Sequence, residues 1–136
     1  MAITTEDRLA IHELIGLHGH LMDAGDFGRL HELFSPEVIY DVEDFGFGRL
    51  RGIQAIVDAS IANGNRNPIG HHVTNIVLTE VESGVVRAHS KGIGIQADGS
   101  SGSVTYQDVI QRSADGWRIT YRKVIARRTP LSARNC

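Results

Sequence analysis

An α+β fold, with helices first and strands afterwards, is what this chain predicts. Up to about residue 61 apolar residues recur at the three-and-four spacing of amphipathic helices. The second half changes to long β-rich stretches, and these are separated by Ser-Gly, Asp-Gly and Gly-Ser turn signals. Strands that follow helices, rather than alternating with them, form an antiparallel meander with the helices packed on one face. The 136 residues suit one domain, 1–136, with a core over about 5–127 and a tail over 128–136.

The first helix begins at Thr5 with Glu6 and Asp7 in its opening turn, and Ile11, Leu14, Ile15, His18, Leu21 and Met22 form its apolar face. His18 therefore points inward. Gly25 ends this helix and Asp26 caps the next, a short one marked by Phe27, Leu30, Leu33 and Phe34 and closed by Ser35-Pro36. A strand covers Val38 to Val42. Gly46, Gly48 and Gly52 predict a turn-rich connection, and Ile53, Ile56, Val57, Ser60 and Ile61 a third helix. Long strands follow at about 72–82, 84–97, 103–113 and 117–127. The tail has no period and is expected either to be disordered or to fold over a pocket mouth.

Charge and composition exclude several classes of function. The net charge is −2 and the basic residues are scattered apart from Arg127-Arg128, so there is no stripe to neutralise nucleic-acid phosphates. No apolar run approaches the roughly twenty residues that cross a bilayer, and Met1-Ala2-Ile3-Thr4-Thr5 does not read as a signal peptide. The single cysteine, Cys136, allows no internal disulfide and no thiolate zinc site, so a cytoplasmic location is expected. His18 and His20 lie on different sides of a helix, which argues against a metal site shared with His71 and His72. Gly46-Phe47-Gly48 and Gly92-Ile93-Gly94 lack the strand-to-helix context of a phosphate loop, and no cofactor is expected.

Asp23, late in the first helix, and His71, opening His71-His72-Val73-Thr74-Asn75, are the pair most suggestive of chemistry. A carboxylate that holds one ring nitrogen fixes the imidazole tautomer and stabilises the imidazolium formed when the other nitrogen takes a proton. Adjacent strand side chains face opposite ways, so only one of His71 and His72 can face a pocket.

Several marks, taken in order, carry a resemblance to a known family over roughly 5–127. They are Asp23-Ala24-Gly25-Asp26, Leu33-Phe34-Ser35-Pro36, Gly52, His71 to Asn75, and Gly116-Trp117-Arg118-Ile119. The chain resembles the SnoaL-like group of the nuclear transport factor 2-like superfamily, whose curved sheet wraps a helix into a cone with an apolar pocket. Within it the resemblance is to the branch of scytalone dehydratase, bile-acid dehydratases and hexachlorocyclohexane dehydrochlorinase. It implies a catalytic dyad of Asp23 and His71, with His18 and Arg122 stabilising negative charge on the substrate or leaving group. His18 stands where a dehydratase carries tyrosine or the dehydrochlorinase lysine. The resemblance also implies a small apolar substrate and a homo-oligomer, a trimer before a dimer.

Each residue has a structural alternative. Asp23 also suits a cap or a surface charge, and His18 a satisfied core histidine. Arg122 suits a buried ion pair with Asp23 or Asp108. Tyr106 and Asp108 share a strand face, either as a hydrogen-bonded pair or as substrate-binding groups together with His72. Trp117 reads as a packing aromatic. The function expected is a cofactor-independent lyase that removes water or a similar group from a small cyclic molecule. Its rivals are an isomerase or cyclase of the ketosteroid isomerase or polyketide cyclase type, an epoxide hydrolase, and a non-catalytic binding or assembly domain like a dioxygenase small subunit.

Overall fold

The computed structural model describes residues 2–131. Two helices, α1 (Thr5–Ala24) and α2 (Ile53–Asn63), pack on six strands: β1 (Phe34–Val42), β2 (Gly48–Arg51), β3 (Gly70–Glu82), β4 (Val85–Ile95), β5 (Ser101–Ser113) and β6 (Gly116–Arg127). The sheet order is β2-β1-β6-β5-β4-β3. β3 to β6 form the expected antiparallel meander, whereas β1 joins it by running parallel to β6. The sheet is curved and unclosed, and its inner face carries the helices.

α1 starts at Thr5, as its sequence suggests. Thr4 is the cap: its hydroxyl accepts the Asp7 N–H at 3.1 Å and its own N–H donates to the Asp7 carboxylate at 2.9 Å. That carboxylate also accepts from the Trp117 indole at 3.2 Å and pairs with Arg112 at 3.0 Å, tying the helix start to the β5–β6 hairpin. The Thr4 N–H, with help from Trp117 and Arg112, holds the Asp7 carboxyl down at about 2. Gly25 closes the helix at φ 66°, a left-handed cap that suits glycine.

The second expected helix is a single 3-10 segment, Phe27–Glu32, with no side-chain cap at Asp26. Six residues cannot support a stable α-helix. Leu33 and Phe34, read as its end, are buried, and Phe34 opens β1 opposite Ile119. Pro36 lies inside β1 rather than ending a helix. The register against β6 slips between Phe34 and Ile39, which is where a residue with no N–H can be accommodated. Gly48–Arg51, read as part of a turn, is a short strand pairing with β1.

Irregularities in the long strands bend the sheet. β3 slips against β4 between Thr74 and Val77, and within that slip Asn75 has φ 57°, the one positive value outside glycine among the described residues. Asparagine tolerates the left-handed region better than most residues, so Asn75 is explained as a bulge residue rather than as a reactive group. Ile11, Ile15, Leu30, Leu33, Phe34 and Ile119 are fully buried between α1 and the sheet.

α1 approaches β3 more closely than side chains normally permit. A Cβ on Gly19 would collide with the His71 carbonyl oxygen, and that oxygen belongs to backbone that cannot swing aside. Gly16, one turn earlier on the exposed side, has nothing within 4 Å of the same position. Alanine is favoured over glycine in a helix by about 1 kcal/mol, but forcing an extra methyl into a packed contact costs about 1–3 kcal/mol. Gly16→Ala is therefore expected to raise the urea midpoint and Gly19→Ala to lower it. Equal effects of the two in denaturant titrations would show that the α1–β3 approach is not tight.

Candidate active site

Gly19 brings α1 against the start of β3, and Asp23 lies one helical turn further on. Its carboxylate accepts the His71 backbone N–H at 3.1 Å to each oxygen and meets the His71 Nδ1 at 2.6 Å. β3 is the edge of the sheet, so an outward N–H needs a partner from outside the ladder, and Asp23 supplies it. The imidazole is thereby anchored twice, through backbone and ring. With Nδ1 on the carboxylate, Nε2 is left as the unshared nitrogen.

His71 lines a cavity of about 370 Å³ at the open end of the sheet. Its wall is mainly apolar, with Met22, Val42, Leu50, Ile56 and Val124 among the contributors, and amides and hydroxyls from Asn63, Asn67, Gln96 and Ser103. A volume of this size accepts a small organic molecule. His72 is exposed and takes no part in the wall, as the alternation of β3 requires.

Tyr106 closes the inner end. Its ring lies across β4 at Gly92, where a Cβ would overlap the Tyr106 and Val104 side chains, so only glycine lets the ring lie flat there. Behind that ring is Arg122, fully buried, with its guanidinium carbon 4.3 Å from the ring centroid. Arg122 donates to Asp108 through Nε at 2.7 Å and Nη2 at 2.9 Å, the buried ion pair foreseen as its structural alternative. Burial alone would lower the arginine pKa, but the Asp108 charge and its hydrogen bonds outweigh that and raise it. Neither Arg122 nor Asp108 belongs to the wall of this cavity.

His18 is sealed beneath the same end, 1% exposed, with its ring 5.7 Å from that of His71 and 6.0 Å from that of Tyr106. Its Nε2 lies 3.5 Å from the Tyr40 hydroxyl, at the outer limit of a hydrogen bond, and no described residue meets its Nδ1. Burial, then the Arg122 charge, then His71, hold its pKa well below the ordinary histidine value. His18 is thus a neutral core imidazole. As such it brings no positive charge to the site.

Tyr40 is the wall residue that the sequence reading passed over. It alternates with Val38 and Val42 on the inner face of β1, a signal obscured by the helix assigned to the residues just before it. Burial pushes the Tyr40 and Tyr106 hydroxyls up, so both remain protonated donors. Phe45 and Phe47, about half exposed, form an aromatic lip at the mouth. Arg128 lies against Phe45 there, so the start of the predicted tail reaches the mouth, while 132–136 lie outside the described residues. Among the described residues no three His, Cys, Asp or Glu side chains converge as a metal site would require, and no helix is long and apolar enough to cross a membrane.

The neutral state of His18 has a consequence for stability. Above pH 6.5, the ordinary histidine value, folded and unfolded chains both hold it neutral. Below that the unfolded chain takes up a proton the folded chain refuses, so stability falls as pH drops, by at most about 1.4 kcal/mol per pH unit for one group. The urea midpoint measured from pH 7.5 to pH 5 should fall less steeply in His18→Leu than in the parent. Equal slopes would mean that His18 is readily protonated in the fold.

Comparison with known proteins now bears on this geometry. A family model described as a SnoaL-like domain matches residues 4–123. No curated protein matches the chain. Among solved structures, an NTF2-like protein with a cystatin-like fold from Novosphingobium aromaticivorans is 28% identical, covering 95% of this chain and 87% of that one with a TM-score of 0.77. Another protein from that organism, provisionally described as an aromatic ring hydroxylase, is 26% identical over 96% of this chain and 95% of its own, with a TM-score of 0.75. LinA is 22% identical with 96% of each chain covered and a TM-score of 0.74, a likeness of fold. The family match runs from the cap of α1 into β6, and those neighbours share the helices on a curved sheet: the chain belongs to the SnoaL-like family of the nuclear transport factor 2-like superfamily.

Proposed function

We propose that this protein is a cofactor-independent lyase, in which His71 takes a proton from carbon and a small leaving group such as water departs. The observation that carries this reading is the Asp23–His71 contact of 2.6 Å on the wall of an apolar cavity. Asp23 orients the ring and stabilises the imidazolium, and Nε2 is the base. As the proton leaves, negative charge builds on the substrate. Tyr106 and Tyr40 are wall groups able to donate to it, and in a dry cavity such a donor counts for more than in water.

Arg122 acts through Tyr106 in this reading. A guanidinium against the ring face draws on its π-electrons, so the hydroxyl becomes a better donor, while Asp108 keeps the buried cation paired. A second reading is an isomerase or cyclase on the same dyad. It is favoured by the lack of a charged leaving-group acid in the wall, since His18 is neutral and Arg122 stands behind Tyr106. Association with further copies through the outer face, a trimer before a dimer, is part of the proposal. Val77 and Val81 on β3 and Ile93 on β4 are exposed apolar groups.

A panel of hydroxylated and halogenated ring compounds, followed by mass spectrometry, separates these readings. Elimination lowers the product mass by water or hydrogen halide, and isomerisation leaves it unchanged. With a compound that reacts, His71→Ala is expected to lower kcat by about 10²–10⁴ while its circular dichroism matches the parent. Wild-type turnover in that variant would remove His71 as the base. Asp23→Asn should lose a similar factor, about 10²–10⁴, because an amide stabilises no imidazolium. Full activity there would remove the dyad.

A further inference from the structure

One line of residues runs straight across the inner floor of the cavity. His71 on β3 pairs with Gly94 on β4, and Gly94 pairs with Gly102 on β5. Ser103 pairs with Arg127 on β6, so the position facing Gly102 is the next residue, Arg128. Side chains directly opposite in a sheet project from the same face, which puts His71 and Arg128 on one face at the two ends of this row. The two positions between them are glycines, and both belong to the cavity wall. A Cβ on Gly102 would meet nothing within 4 Å, and one on Gly94 would lie 3.3 Å from Pro68, itself a wall residue. The floor between the imidazole and the arginine therefore carries no side chain of its own: it is open over Gly102 and overlain by the Pro68 ring at Gly94. Three interstrand steps of about 4.8 Å span at most about 14 Å.

The charges on the wall point the same way. Among the described residues its arginines are Arg127 and Arg128, and no aspartate, glutamate or lysine belongs to it. Arg128 is exposed at the mouth, donates through Nη2 to the Asp44 carbonyl at 3.0 Å, and has its guanidinium carbon 5.7 Å from the Phe45 ring centroid. The Asp44 carboxylate accepts the Ala126 N–H at 3.2 Å, and among the described residues Arg128 makes no ion pair. A guanidinium has five N–H donors, so most of its capacity is open. It is held in place by a carbonyl and a ring, neither of which cancels its charge.

We infer that the cavity takes an elongated, apolar molecule with an anionic group at one end, a carboxylate, sulfonate or phosphate, held by Arg128 while the reacting carbon lies at His71. This deepens the proposed function and rests on it for the placing of the reacting carbon. The anion stays at the mouth, where it keeps part of its hydration, and the apolar body lies over Gly102 and against Pro68. Arg128 is then a specificity residue, and elimination or isomerisation happens at the far end from it.

Two dyes that differ by one group test this without a known substrate. 8-Anilinonaphthalene-1-sulfonate carries a sulfonate, and N-phenyl-1-naphthylamine is the same skeleton without it. Fluorescence titration should show that the dyes displace each other from the parent protein, and that only the sulfonate dye weakens with added salt. Arg128→Gln should weaken the sulfonate dye about fivefold and leave the neutral dye within about twofold, which also shows that the cavity is intact. A loss shared equally by both dyes, or no loss of the sulfonate dye, would overturn the proposal, as would failure of the dyes to compete. His71→Ala should leave the ratio of the two affinities unchanged. A dyad that proves inert in turnover assays would therefore refute the lyase reading and leave anion recognition standing.

Discussion

One carboxylate joins the helical half of this molecule to its sheet. Asp23 satisfies an edge-strand N–H and an imidazole together, and it reaches both because Gly19 lets α1 lie against the backbone of β3. The two features depend on each other. With any larger residue at 19 the helix would stand off, and a carboxylate side chain has too few bonds to span the added gap. The dyad is thus a property of helix packing before it is a property of reactive groups. Its two partners are 48 residues apart, and the order that brings them together comes from the core formed by Ile11, Ile15 and their neighbours.

The second constraint is the burial of a charge pair. Desolvating Arg122 and Asp108 is costly, and their bidentate contact offsets that cost only while both are present. A fully hydrophobic pair would pack at least as well in such a place, so stability alone does not explain the choice. The position of the pair does. It backs Tyr106, which lies flat because Gly92 has no side chain, and it places a fixed positive charge behind a wall hydroxyl without exposing that charge to solvent. Charge and cavity are kept apart by one aromatic ring.

The fold class was legible because period and turn chemistry are local. Three-and-four spacing marked α1 and α2, and the Ser83-Gly84, Asp98 to Gly102 and Asp115-Gly116 turns delimited the long strands to within about two residues. The misreadings cluster between residues 27 and 51. There, Phe27, Leu30, Leu33 and Phe34 have helical spacing, yet Phe34 is claimed by pairing with Ile119 on a strand more than eighty residues later. A long-range parallel ladder leaves no short-range mark. The short β2 went unseen because Gly46, Gly48 and Gly52 read as a turn, and Tyr40, although placed on the strand Val38 to Val42, was not singled out as an inward group. For the site, Asp23 and His71 could be named from the residues and the family resemblance. The burial of His18 and the pairing of Arg122 with Asp108 could not be decided, because both depend on which side of an aromatic ring a side chain ends up.

That last distinction governs how the cavity can work. A cation exposed in the wall beside the imidazole would disfavour the imidazolium that proton abstraction creates, since like charges repel strongly where water is excluded. Arg122 avoids this by being paired with Asp108 and screened by Tyr106, and His18 avoids it by staying neutral. Arg128 avoids it by distance and by exposure at the mouth. Among the described residues, the full charge in direct contact with His71 is the Asp23 carboxylate, 2.6 Å from Nδ1. The arrangement supports the proposed reading of His71 as a base that holds a proton briefly and gives it up again. An elimination and an isomerisation both need that, and they diverge only in what the donors at the Tyr106 end do with the charge left behind.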